Sequence, residues 1–90
     1  MNCEIVPWYM QIKRDRGKPV KVLMEFKFPP AEDEHQAMQR ERNIEQAFRE
    51  LPAMDWRMYP LVRRLLGAVK DCISVRAIDR QGYGAEASAE

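Results

Sequence analysis

The chain contains no threonine, and its only serines are Ser74 and Ser88. One falls in a predicted strand and the other in a predicted tail, so a Ser–His–acid arrangement has no members in a suitable environment. Histidine occurs once, as His35, and cysteine twice, as Cys3 and Cys72. The cysteines are separated by most of the chain and lack the close spacing that zinc or dithiol chemistry uses. Both are expected to be free thiols in a reducing compartment. Glu32 and His35 have the Glu-x-x-His spacing of di-metal carboxylate sites, but such sites need a second pair of this kind and none occurs. Cys72 and His35 would make a thiolate and its base only if the fold joined them, and nothing in the sequence does so. Neither a G-x-G-x-x-G nor a G-x-x-x-x-G-K-[ST] pattern is present, which removes the common phosphate cradles. No catalytic residue, metal or cofactor is therefore assigned, and the protein is expected not to be an enzyme.

Long apolar runs are lacking as well. The longest, such as Val22-Leu23-Met24, fall far short of the roughly 18 residues that span a bilayer. The first residues do not have the pattern of an export signal, so a cytoplasmic setting away from membranes is expected. Net charge is nearly absent, at +1, but the charges are banded. Residues 1–30 carry six Lys or Arg against three acids, residues 31–52 three against six, and residues 53–80 again six against three. This balance weighs against bulk attraction to nucleic acid and leaves room for a local basic face.

Within 90 residues there is room for one domain. From Trp8 the pattern has a period of two. Trp8, Met10 and Ile12 alternate with Tyr9, Gln11 and Lys13, and Val20, Val22, Met24, Phe26 and Phe28 alternate with Lys21, Leu23, Glu25 and Lys27. The intervening Arg14-Asp15-Arg16-Gly17-Lys18-Pro19 predicts the turn of an antiparallel hairpin. Pro7, which has no amide proton, places the first strand at an edge or starts it at Trp8.

After Pro29-Pro30 the acidic Ala31-Glu32-Asp33-Glu34 predicts a helix start, and the helix is expected from about residue 31 to Leu51. Its inward stripe is Ala37, Ile44, Ala47, Phe48 and Leu51, with Met38 beside it; its first two turns are poor in apolar residues and are expected to project beyond the sheet or to meet something else. A second helix is expected from Asp55 to near Gly67. It tolerates Pro60 in its first turns and buries Met58, Leu61, Val62, Leu65, Leu66 and Val69. Cys72–Asp79 predicts a third strand, with Ile73, Val75 and Ala77 alternating against Ser74 and Arg76. Residues 81–90 bury too little apolar surface to repay their ordering and are expected to be a loose tail beyond a domain of residues 1–80. The fold class is α+β: a two-layer sandwich in the order β-β-α-α-β, with a three-stranded antiparallel sheet and both helices on one face.

Two surfaces stand out. Met54, Trp56, Arg57, Met58, Tyr59 and Arg63 concentrate the residue types that dominate protein interfaces, and the two aromatic rings and two methionines cannot easily all point inward. They suggest a noncatalytic protein-binding module that docks on a larger partner or on its own copy. Small inhibitors and adaptors of phages and other mobile elements act in this way. Tyr9, Lys13, Arg14, Arg16, Lys18, Lys21 and Lys27 gather on the hairpin and suggest the alternative, a nucleic-acid-binding protein that lays basic side chains on phosphates beside a stacking ring. The plainer account of that set is a solvated sheet face guarded by charge against edge pairing.

Overall fold

The computed structural model describes residues 2–13, 19–51 and 58–89. Strands β1 (Glu4–Lys13) and β2 (Pro19–Phe28) form the expected hairpin, with Trp8 opposite Met24 and Tyr9 opposite Leu23. Helices α1 (Glu34–Glu50) and α2 (Met58–Ala68) follow, then β3 (Ser74–Asp79) and β4 (Gly84–Ser88). All neighbouring strands are antiparallel, and their order across the sheet is β1-β2-β3-β4.

The sheet thus has four strands and not three, and the expected loose tail supplies the fourth. Backbone pairing and turn chemistry order this segment in spite of its small side chains. The Asp79 carboxylate accepts hydrogen bonds from the amides of Gln81, at 2.8 Å, and Tyr83, at 3.0 Å, while Gly82 takes a φ of 86° that a side chain would strain. Ala85 and Ala87 then point inward, and Ala87 is buried against the core.

The phase of the β3–β4 hydrogen bonds fixes the phase across the sheet. The Asp79 amide donates to the Tyr83 carbonyl and the Ala89 amide to the Ile73 carbonyl. In β1 this leaves the backbone groups of Ile5, Pro7, Tyr9 and Gln11 facing outward from the free edge. Pro7 therefore sits where its missing N–H costs no ladder bond, ten residues of strand running through it without interruption.

Helix α1 starts later than its acidic run suggested. Asp33 is the N-cap and accepts from the Gln36 amide at 2.8 Å, while the Gln36 side chain accepts from the Glu32 amide at 2.6 Å, a reciprocal cap. Ala37 and Met38, expected inside, are exposed; the first turn lies clear of the sheet, and the buried stripe begins at Arg40 and continues through Ile44 and Ala47. Phe48 lies against Trp8 and Phe26, with centroids 5.8 and 6.1 Å apart, and clamps α1 onto the hairpin. Helix α2 carries Pro60 in its first turn, where no helical hydrogen bond is lost, and buries Met58, Leu61, Val62 and Leu65 over β3 and β4. Gly67 lies inside its last turn, and the reversal falls instead at Asp71, whose φ is 64°. Both helices cover the face that carries Val22, Met24, Phe26, Phe28, Val75 and Ala77. No helix among the described residues is long and apolar enough to cross a membrane.

Candidate functional site

Alternation along each strand gives the sheet a second face, and neither helix covers it. Strand register arranges this face in transverse rows. Pro7, Glu25, Arg76 and Glu86 form one row; Tyr9, Leu23 and Ile78 form the next and end at Gly84, where an added Cβ would meet the Ala77 carbonyl at 2.9 Å. Ile5, Lys27, Ser74 and Ser88 flank the first row, and Gln11 and Lys21 flank the second. Tyr9 is 63% exposed and Ile5 58%, so apolar surface reaches solvent on both flanks of the charged row.

Within the charged row Arg76 pairs with Glu25. Arg76 donates from Nε to Glu25 Oε1 at 3.0 Å and again from Nη2 to the same oxygen. The Glu25 hydrogen bond, and then its charge, hold the Arg76 guanidinium above the ordinary range, with Glu86 adding to the effect. The neighbouring row, Tyr9, Leu23 and Ile78, lines a shallow depression of about 340 Å³ together with the paired Glu25 and Arg76 and the cations Lys21 and Arg80. The Lys21 ammonium lies 4.9 Å from the centre of the Tyr9 ring, a cation–π contact.

The structure brings together part of the predicted basic set. Tyr9, Lys21 and Lys27 share the uncovered face, and Lys13 ends β1 opposite Pro19. Arg14, Arg16 and Lys18 lie outside the described residues, as do Met54, Trp56 and Arg57 of the predicted protein-binding set. Met58 does not belong to a docking surface: it is 7% exposed, because helical spacing aligns it with Leu61, Val62 and Leu65 in the core. Tyr59 and Arg63, one turn apart, are exposed on the outer side of α2. Leu23 and Ile78 were not singled out from the sequence. Each is an apolar residue in the polar phase of its strand, and that interruption was the available signal.

Little reactive chemistry gathers elsewhere. Among the described residues no three His, Cys, Asp or Glu side chains cluster as a metal site. Glu32 precedes α1, so it and His35 do not share a helical face as their spacing suggested. Both cysteines are free. Burial pushes the Cys72 thiol from the ordinary 9.0 up to about 11, against a smaller opposing effect of backbone hydrogen bonds that include Sγ to the Ser74 carbonyl at 3.3 Å. At neutral pH it is a protonated, inert thiol. A disulfide-exchange dye added to native protein is accordingly expected to count Cys3 promptly and Cys72 only after unfolding. Between pH 9 and 11 the unfolded chain loses this proton while the folded chain keeps it. Stability should therefore decline with rising pH in that window, and this component should vanish in Cys72→Ala. Prompt reaction of both thiols in the native state would contradict the burial.

Comparison of the chain with protein-family models, curated proteins and solved structures finds no match.

Proposed function

We propose that the protein is a small noncatalytic protein-binding module of the cytoplasm, an inhibitor or adaptor that docks on a larger protein through its uncovered sheet face. The observation that carries this reading is the apolar row Tyr9–Leu23–Ile78, which crosses three strands and is left uncovered by both helices. Exposed apolar surface rimmed by charge is a mark of interaction sites, and a tyrosine there gives contact area at low entropic cost. The outward-facing Pro7 supports a partner that approaches the face and not the edge, since an added strand would find a donor missing there.

A second reading rests on Tyr9, Lys21 and Lys27 sharing that face. It makes the protein a nucleic-acid binder, with Lys13, Arg14, Arg16 and Lys18 on phosphates and an affinity that falls steeply with salt.

Capture from native-cell extract separates the two. The double variant Tyr9→Ala/Ile78→Ser, with unchanged circular dichroism, is expected to lose the retained proteins by about tenfold or more, and nuclease treatment to leave wild-type capture unchanged. Equal retention by the folded variant would remove the uncovered face from the function. Loss of all bound material on nuclease treatment would favour the second reading.

A further inference from the structure

On the reading that the uncovered sheet face docks a protein, its charges specify what kind. Among the described residues the face carries two carboxylates, Glu25 and Glu86, and both lie in the row of Arg76, which donates twice to Glu25. Asp79 also borders the depression, but its carboxylate is held by the amides of Gln81 and Tyr83. On the other side of the apolar row the cations Lys21 and Arg80 are both exposed and form no ion pair with any described residue. Arg76 neutralises Glu25, the carboxylate of this row that lines the depression, and Glu86 does not line it, whereas the basic charge of Lys21 and Arg80 beside the depression is left without an acidic partner among the described residues.

We infer that the occupant is an acidic protein segment that sets an aliphatic side chain on Tyr9, Leu23 and Ile78 and carboxylates on Lys21 and Arg80. Apolar contact supplies most of the affinity, and the two cations supply selection and speed of encounter, as exposed charges do. A single strand of nucleic acid fits less well. Leu23 and Ile78 offer no π face to a base, and one face of the Tyr9 ring already meets the Lys21 ammonium.

The test uses the full chain and three fluorescent probes in anisotropy titrations: a peptide alternating Leu and Glu, its counterpart alternating Leu and Lys, and a single-stranded oligothymidine. The Leu–Glu peptide is expected to bind at least about tenfold more tightly than the Leu–Lys peptide, with the gap narrowing at high salt. Lys21→Glu/Arg80→Glu changes two exposed positions and should fold normally; it is expected to reverse the preference. Equal binding of both peptides overturns the acidic partner and leaves the docking face standing. Binding of neither peptide, while the extract experiment still gives a Tyr9- and Ile78-dependent protein, also overturns it. Preference for the oligonucleotide points instead to nucleic acid, and concentration-dependent self-association in sedimentation points to a second copy; either overturns the proposal.

Discussion

Phe26→Ala is expected to cost about 3–5 kcal/mol of folding stability, the upper range for losing a buried aromatic side chain. Phe26 is fully buried on the central strand β2, edge-on to Phe48 and opposite Val75, itself fully buried, on β3. Its removal opens a cavity where the hairpin, helix α1 and strand β3 meet. The surrounding side chains have little freedom to collapse into it, because they are fixed by three separate elements. A domain of this size holds only about 5–10 kcal/mol in total, so the variant should be largely unfolded in mild denaturant where the wild type is folded. Phe26→Leu, which retains much of the volume, should lose far less. Denaturation followed by circular dichroism measures both, and a Phe26→Ala midpoint equal to wild type would show that the core is not organised around this ring.

The second large effect concerns a charge. Arg40 lies in the core layer at 5% exposure, with its guanidinium 4.9 Å from the Phe28 ring centre and Nη1 donating to Glu4 Oε2 at 3.0 Å. Taking away Glu4 strands a buried cation, whereas replacing the cation itself removes the need for a partner. Glu4 is about half exposed, so water can replace part of what it supplies, and Glu4→Ala should cost about 1–3 kcal/mol and not the larger penalty of a fully buried pair. Arg40→Met keeps an unbranched side chain over Phe28 and should stay within about 1 kcal/mol of wild type. The double variant should then resemble Arg40→Met alone. A Glu4→Ala loss as large in the Arg40→Met background as in the wild type would show that Glu4 contributes through something other than this pair.

Most of the fold was legible because its signals were periodic. Five inward residues from Val20 to Phe28 established β2 and one wall of the core, and the spacing of Leu61, Val62, Leu65 and Val69 did the same for α2. What escaped was order that does not depend on apolar area. Strand β4 presents only alanines to the core and is held by backbone ladder bonds and the Asp79 turn, neither of which leaves a hydrophobic pattern. Arg40 escaped for the related reason that an arginine in a helical stripe reads as solvent-facing until its aliphatic portion finds an aromatic surface. The uncovered face was half legible. Tyr9, Lys21 and Lys27 announced themselves by residue type, but Leu23 and Ile78 stand more than fifty residues apart in sequence and only strand register makes them neighbours.

Strand order in this sheet repeats strand order along the chain, with the two helices inserted between β2 and β3. Each outer pair joins strands that are near in sequence, with only residues 14–18 and 80–83 between them, so only the central seam requires distant stretches of polypeptide to meet. Nearly all the loop-closure entropy of the sheet is concentrated there. Refolding speed should accordingly depend on how readily α1 and α2 bring the two hairpins side by side, and far less on either hairpin's own propensity to form.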